Sequence, residues 1–285
     1  ERTEEIGDKL KEHGGFPNWF GVQRFGTIRP VTHKVGKRII DGDFEGAVKL
    51  YIAEPFEGEE EGCYSARERL EKDWDYESAL DYYPDMLTFE KRIIRHLSKN
   101  PGEYAEALKT LPHNLLMMFV HAYQSYLFNR MVSLRIKKGY PIDDVMIGDI
   151  LLPAERNGLP NKNTKVEVTE RNIEKASSMV KQCKAYVSAV LFGSQSNFSG
   201  GEMGEIERSL IEEEGIRKDD FIIPEISSIS SKGSRREIFA PVKSLEWDLE
   251  PGGFNVSFGL NKGSYATTLM REFMKLPPDQ VNRYS

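Results

Sequence analysis

The chain has 285 residues, 39% of them hydrophobic and 11% aromatic, so it is long enough for two domains and apolar enough to form a core. Its formal net charge of −6 argues weakly against a nucleic-acid partner, and no apolar run approaches the ~20 residues that a membrane span needs. The two cysteines, Cys63 and Cys183, exclude a disulfide scaffold and fit a reducing cytoplasm, and the five histidines do not cluster with carboxylates at metal-ligand spacing.

The first predicted element is a charged helix over residues 1–13. The chain opens inside this helical pattern instead of before it, and it does not begin with methionine. We therefore expect a fragment whose N-terminal part is missing.

Residues 18–26, with the sequence Asn-Trp-Phe-Gly-Val-Gln-Arg-Phe-Gly, form the most distinctive stretch of the chain. Aromatic rings, an amide, a guanidinium and two glycines are what a pocket for a flat polar ring needs, because they offer a stacking face, hydrogen-bond donors and approachable backbone. Trp19 and Phe25 also fit a hydrophobic core, and the two glycines also fit turns. The pattern predicts a ligand pocket without naming its ligand.

A basic stretch overlaps the end of this segment. Residues 24–38 contain no acid and five cations, which are Arg24, Arg29, Lys34, Lys37 and Arg38. Acids gather elsewhere, as at 57–61 and 212–214. A local basic face on an acidic protein is compatible with selective RNA binding, and a solvated helix face is the alternative.

The region after the basic stretch is predicted to be helical. Residues 32–52 favour two short helices broken at 41–43, with Asp43 as the N-cap of the second. Residues 54–83 are charged and show no clear period, which indicates an irregular excursion over the surface.

Three further helices are predicted over 86–97, 101–111 and 112–138. The last is the strongest, because apolar residues recur at spacings of three and four along its whole length. Lys137-Lys138-Gly139 closes it with cations at the negative end of the helix and a glycine beyond it.

The character of the chain changes after Pro141. Strand and helix patterns alternate at 147–152, 172–183, 185–192 and 202–214, which indicates an α/β insertion. The Ser/Gly-rich segment 227–233 marks its exit. We therefore predict three segments, which are 1–143, the insertion 144–231, and 232–285.

The end of the chain returns to strands, predicted over 237–242 and 254–260, and then to a helix over 265–275. The turn Lys262-Gly263-Ser264 precedes that helix and combines a cation, an approachable glycine and a helix N-terminus, with Arg271 two turns further on. This combination favours phosphate binding. An ordinary N-cap by Ser264 is the alternative.

Residues 18–26 resemble the second motif of the TruD family of tRNA pseudouridine synthases. The sequence Lys-Gly-Ser-Tyr-Ala-Thr at 262–267, followed by Arg271 and Glu272, resembles the C-terminal motif of that family. Residues 119–129 are similar to the long helix between the two motifs. The three motifs stand in the family's order, and the size of the 144–231 segment resembles the archaeal and eukaryotic branch.

The resemblance implies an α+β fold, in which a pseudouridine-synthase-like catalytic domain with a mixed, largely antiparallel sheet is interrupted by an α/β insertion domain. It implies a tRNA partner, uridine 13 as the target, and an isomerisation that uses no metal or other cofactor. The family's catalytic aspartate lies in a Gly-x-Lys-Asp motif upstream of the segment corresponding to 18–26. That motif does not occur here, since Lys72-Asp73 and Lys218-Asp219 have other flanks, so the nucleophile is expected outside these residues.

The resemblance also implies roles for individual residues. Phe20 is the candidate to stack on a flipped uracil, and Phe20→Ala is expected to cut turnover while sparing the fold. Asn18 is the candidate to support the catalytic carboxylate or a base edge. The predicted RNA-binding residues are Gly21, Gln23, Arg24, Arg29, Lys34, Lys37, Arg38, Lys262, Gly263, Ser264 and Arg271.

Two other classes of protein remain open. One is a noncatalytic RNA-binding module that keeps the base pocket. The other is an unrelated hydrolase, which would need two carboxylates converging in a cleft, an arrangement that the sequence does not show. The oligomeric state is not predicted by any of these features.

Overall fold

Helices dominate the first half of the chain. The computed structural model describes residues 2–275. Its α-helices are α1 (Arg2–His13), α2 (Thr32–Ile40), α3 (Phe44–Ala53), α4 (Glu61–Asp73), α5 (Tyr76–Tyr82), α6 (Thr88–Lys99), α7 (Tyr104–Lys109), α8 (His113–Lys137), α9 (Ile173–Lys181), α10 (Gly201–Glu213) and α11 (Ala266–Met274). Between residues 2 and 275, none of them has the length and apolarity that crossing a bilayer would require.

The strands form two antiparallel sheets. They are β1 (Gly15–Pro17), β2 (Ile150–Pro153), β3 (Val166–Glu167), β4 (Ala185–Leu191), β5 (Ser234–Glu237), β6 (Phe239–Glu250) and β7 (Gly253–Leu260). The first sheet has the order β1-β6-β7 and the second β3-β2-β4-β5. Every strand pair in the described residues is antiparallel, so the predicted α+β class with antiparallel sheet is confirmed.

The two sheets meet at a single residue. Ile238 separates β5 from β6, and the chain therefore passes there from one sheet into the other. The Ile238 N–H donates to Val187 O of β4 at 2.9 Å, and its carbonyl accepts from Asn18 N–H, next to β1, at 2.8 Å. The predicted strand 237–242 is in this way divided between two sheets, and Asn18 lies at their junction.

Helix α8 is the centre of the larger hydrophobic core. Its side chains Phe119, Val120 and Leu127 are buried against neighbouring elements that include α2 and β4. Helix α2 crosses it closely, because a Cβ on Gly36 would lie only 2.0 Å from the Phe119 carbonyl oxygen. The long predicted helix over 112–138 is confirmed with its ends shifted by one residue.

The two short helices predicted over 32–52 are confirmed as α2 and α3. Asp43 is the N-cap of α3, and its Oδ1 accepts from Gly46 N–H at 2.8 Å. The helices predicted over 86–97 and 101–111 are also present, as α6 and the shorter α7.

The prediction of an irregular surface segment over 54–83 is wrong. Helices α4 and α5 occupy most of it, and both Arg67 and Leu70 are buried. The Arg67 guanidinium donates to Ile52 O at 2.9 Å and to Glu90 Oε1 at 2.8 Å. Arg67 looks like a surface residue in the sequence, but it is a buried charge paired with Glu90. Its charge therefore obscures, in the sequence, the buried face of α4.

The segment 144–231 folds largely as predicted, with α9, β4 and α10 in the expected places. Its sheet is antiparallel, however, and takes its last strand, β5, from beyond residue 231. A buried ion pair between Arg135 and Asp149, with Nη2–Oδ2 at 2.8 Å, ties the segment to α8. The domain limits at 144 and 231 remain predictions.

Candidate functional site

The segment 18–26 and the start of α11 lie against each other, although they come from opposite ends of the chain. The Thr267 hydroxyl donates to Gln23 Oε1 at 3.1 Å. A Cβ on Gly21 would lie 2.7 Å from Thr267 Oγ1 and 2.9 Å from the Tyr265 ring. A side chain at residue 21 would therefore force neighbouring side chains to move, and the contact of Gly21 with RNA stays a prediction.

Asn18 is fully buried at the junction of the two sheets. Its Nδ2 donates to the backbone carbonyl of Glu237 at 3.0 Å and to Glu237 Oε1 at 3.1 Å, and its Oδ1 accepts from Arg236 Nη2 at 2.7 Å. Both amide protons are thus used inside the protein. In this arrangement Asn18 pins 18–26 to β5, and its amide group has no proton left for a base edge.

Phe20 is only 8% exposed and packs among other rings. Its ring centroid lies 5.6 Å from that of Phe128 and 5.9 Å from that of Tyr265, in edge-on geometry. The guanidinium carbons of Arg236 and Arg24 lie over the Phe20 ring at 4.1 Å and 5.3 Å from its centroid. Stacking of a base on Phe20 would require these side chains to move, so the predicted role remains a prediction.

Arg236, which is not among the residues predicted from the sequence, is 6% exposed. Besides Asn18 and Phe20 it contacts the turn before α11, because Nη2 donates to Gly263 O at 2.9 Å. Burial lowers the pKa of Arg236, and the nearby charge of Arg24 lowers it further, while Glu237 raises it. The sequence did carry a signal, since Arg235 and Arg236 stand directly before the predicted strand 237–242, and charged side chains are unusual next to a buried strand.

Three buried polar atoms around this cluster have no hydrogen-bond partner within the described part of the chain. They are Trp19 Nε1, Arg24 Nε and Glu237 Oε2. Unpaired buried donors and acceptors are uncommon in folded proteins and cost stability. Two donors and one acceptor of this kind, all on or beside the residue 18–26 segment, mark the cluster as a functional candidate.

Arg29 is placed differently from the other predicted cations. Its side chain is 11% exposed, and its Nη2 donates to Leu50 O at 3.3 Å and to Glu54 O at 2.8 Å. These carbonyls belong to the C-terminal end of α3, where helix carbonyls lack intrahelical partners. Arg29 therefore caps a helix, and the prediction that it contacts RNA is not supported by this placement.

The remaining predicted cations lie nearer the surface. Lys34 is 50% exposed, 3.6 Å from Glu54, and Arg38 is 56% exposed and pairs with Asp43 at 2.7 Å. The other exposed or half-exposed predicted residues are Gln23, Arg24, Lys37, Lys262, Gly263, Ser264 and Arg271. The ion pairs of Lys34 and Arg38 are exposed and contribute little to stability, so these two side chains can exchange their carboxylate partners for phosphates at small cost.

Ser264 in the turn 262–264 is not the N-cap of the helix that follows. Helix α11 has Tyr265 as its N-cap, with no side-chain hydrogen bond, and Ser264 N–H donates to Asn261 O at 3.1 Å. The alternative in which Ser264 is an ordinary N-cap is therefore wrong. Gly263 has φ +97°, a backbone conformation that favours glycine.

A stack of rings connects Phe25 to α8. The Phe25 ring meets His33 edge-on at 5.4 Å, and His33 stacks on Tyr126 at 5.0 Å. Burial lowers the pKa of His33 to about 4, and the charge of Lys34 acts in the same direction.

Among residues 2–275, no three His, Cys, Asp or Glu side chains are grouped so that they could hold a metal ion.

Comparison with known proteins places this architecture in a family. The family model of TruD, tRNA pseudouridine synthase D, matches residues 1–273. A relative from Methanococcoides burtonii named "Probable tRNA pseudouridine synthase D" is 43% identical, over 97% of this chain and 64% of its own length. A protein of the same name from Methanosarcina mazei is 41% identical, over 96% of this chain and 64% of its length.

A solved structure supports the same placement. The crystal structure of a TruD protein from Methanosarcina mazei has a TM-score of 0.91 and 39% sequence identity, and the match covers 97% of this chain and 65% of that one. The chain therefore belongs to the TruD family. It spans 64% of the length of the first two curated relatives.

Proposed function

We propose that this protein acts in tRNA pseudouridine synthesis, as an isomerase that converts a uridine into pseudouridine. The observation that carries the proposal is the contact between 18–26 and the start of α11, since these are the two segments whose sequences resemble motifs of the family. Their junction is lined by aromatic rings and guanidinium groups, which suit a flat polar base.

The reaction breaks the N1–C1′ glycosidic bond of uridine, turns the base, and rejoins it through C5. The C5 proton leaves and N1 gains a proton, so the product is an isomer of the substrate. A protein that catalyses this must take the base out of its stack and hold it while it is detached. We assign the holding to Phe20 and Arg24, and we propose uridine 13 as the target because the resemblance implies it.

We propose that the nucleophilic aspartate comes from outside these 285 residues, because the sequence lacks a Gly-x-Lys-Asp motif. Asn18 then supports the site indirectly, by fixing the 18–26 segment to β5. The tRNA backbone would follow the exposed cations of α2 and the 262–264 turn, where Lys34, Arg38 and Lys262 lie at the surface. We place this activity in the cytoplasm.

The experiment that tests the function uses the full-length protein and an unmodified tRNA transcript. Because pseudouridine has the same mass as uridine, the nuclease digests are first treated with a carbodiimide that stays attached to pseudouridine, and mass spectrometry then locates the labelled fragment. A transcript with cytidine at position 13 serves as the control. We expect conversion of the first transcript and none at position 13 of the second. Conversion at another uridine would refute the proposed target, and tight binding without conversion would favour the noncatalytic RNA-binding module.

A further inference from the structure

Arg236 is a buried charge that the resemblance leaves without a role. One of its nitrogens, Nη2, donates both to Asn18 Oδ1 at 2.7 Å and to Gly263 O at 2.9 Å. These acceptors belong to the 18–26 segment and to the 262–264 turn, whose sequences carry the family resemblance. Each of the two Nη2 protons therefore holds one wall of the site.

The same guanidinium also packs on rings. Its central carbon lies 4.1 Å from the Phe20 ring centroid and 5.7 Å from that of Phe128, which belongs to α8. A planar guanidinium can stack on a ring and donate in its own plane at the same time, which an ammonium group cannot do. The face of the Arg236 guanidinium thus packs on the Phe20 ring, and its edge donates to the Asn18 side chain and the Gly263 carbonyl.

The strand that carries Arg236 is itself firmly held. Its neighbour Arg235 is 3% exposed and donates to Ser188 O at 2.9 Å and to Glu207 Oε1 at 3.0 Å. Arg236 therefore extends from a sheet edge toward both segments. The Thr267 hydroxyl joins the same two parts of the chain directly, by donating to Gln23 Oε1 at 3.1 Å.

We propose that Arg236 is a positioning residue that locks the 18–26 segment and the 262–264 turn into one arrangement, so that the two walls of the base pocket move as a unit. That the two segments bind a base rests on the proposed function. That Arg236 couples them does not, because the coupling is a property of the folded chain.

Hydrogen–deuterium exchange of the full-length protein tests the coupling without any activity. We expect Arg236→Met to accelerate exchange of the amides in 19–26 and in 262–266 together, by about tenfold or more, because both lose their shared donor. Arg67→Met is the matched control, since Arg67 is also buried but bonds to Ile52 O and Glu90 in the helical layer. It should loosen the end of α3 and leave the two pocket segments unchanged.

Exchange that changes in neither pocket segment, or in only one of them, would overturn the proposal. Circular dichroism establishes that the variant is folded. Should Arg236→Met fail to fold, Arg236→Lys serves instead, because its ammonium can keep one bond to the loops but loses the stacking geometry. Loosening of both segments in that variant is the expected result, and wild-type exchange in both is the overturning one.

Kinetics of the full-length protein provide the second readout. We expect a misaligned pocket to lower kcat by about 100-fold in Arg236→Met while KM stays within about threefold, because binding by surface cations is retained. Added methylguanidine should restore part of kcat in Arg236→Ala and none in Arg67→Ala. A folded variant with wild-type kcat, or with a loss confined to KM, would overturn the positioning role. A wild-type protein without conversion would refute the proposed function, and the exchange experiment would still decide the coupling.

Discussion

Asn129 brackets the peptide of Phe20 from both sides. Its Nδ2 donates to Phe20 O at 3.0 Å, and its Oδ1 accepts from Phe20 N–H at 2.8 Å. A side-chain amide of α8 thus takes the place that a neighbouring strand would have in a sheet. The long helix therefore sets the backbone position of the residue that the resemblance assigns to base stacking.

Replacing this amide by a carboxylate should loosen the segment. Asn129→Asp removes the donor to Phe20 O and turns a carboxylate oxygen toward that carbonyl, so we expect a loss of about 1–3 kcal/mol in the free energy of unfolding. Urea denaturation measures it. The matched control is Asn163→Asp, at an exposed loop position, where we expect a change within about 0.5 kcal/mol. Equal effects at both positions would contradict the bracketing role.

Phe20→Ala should now be expected to destabilise the protein, contrary to the sequence-based expectation that it spares the fold. Phe20 is 8% exposed and contacts Phe128 and Tyr265, so removing its ring leaves a cavity in the core. Truncations of this kind cost about 3–5 kcal/mol. Urea unfolding of Phe20→Ala shows whether the protein is destabilised or the fold is spared, and Phe20→Leu, which keeps an apolar side chain at the site, is the comparison. A wild-type midpoint for the alanine variant would show that the ring is not part of the core.

Gly26 should tolerate no side chain. It has φ +105°, and a Cβ there would lie 1.9 Å from Arg29 O. Gly102 is the matched control, because its φ is +88° and nothing lies within 4 Å of its Cβ position. We expect Gly102→Ala to cost about 1 kcal/mol from backbone strain alone, and Gly26→Ala about 3 kcal/mol or more. Similar melting temperatures for the two variants would refute the steric argument.

The protein should become less stable as the pH is lowered, because of the titration of His33. Burial lowers the pKa of this imidazole to about 4 in the folded chain, below its usual value near 6.5. Between those values the unfolded chain binds a proton that the folded chain does not, so the free energy of unfolding decreases as the pH falls from about 6.5 to about 4. For a half-buried ring we expect a loss of about 2 kcal/mol.

His33→Phe is the variant that isolates this effect. The phenyl ring keeps the stack on Tyr126 and cannot take up a proton. Urea unfolding at a series of pH values should then give a flatter dependence between pH 6.5 and 4 than the wild-type protein shows. An unchanged slope would assign the acid sensitivity to other groups.

Measuring tRNA affinity at several salt concentrations should separate the predicted cations that contact phosphate from those that only stabilise the fold. Lys34→Gln and Arg38→Gln should each lower the slope of log Kd against log salt concentration by about one, because each removes a phosphate contact. Arg29→Gln should instead lower stability, since its guanidinium caps α3. Lys72→Gln, at an exposed position of α4, is the control that should change neither property. A salt slope that is unaffected in the first two variants would remove α2 from the RNA surface.

Sequence alone determined the features that depend on neighbours along the chain. The periodicity of α8 and the Asp43 cap of α3 are local, because spacing and capping are set within a few residues. The family resemblance was also visible, since its motifs are continuous stretches. The inward face of α4 was missed because Arg67 looks solvated until Glu90 and the Ile52 carbonyl are seen beside it.

Only the tertiary structure decided how the candidate pocket is built. Its walls come from 18–26, the end of β5, α8 and the turn before α11, and no local pattern indicates that one guanidinium bonds to two of them. Arg29 and Arg236 are equally charged in the sequence, yet one caps a helix and the other joins the pocket walls. A charge acquires its role from the carbonyls and rings that folding places around it, because burial makes each unpaired donor costly.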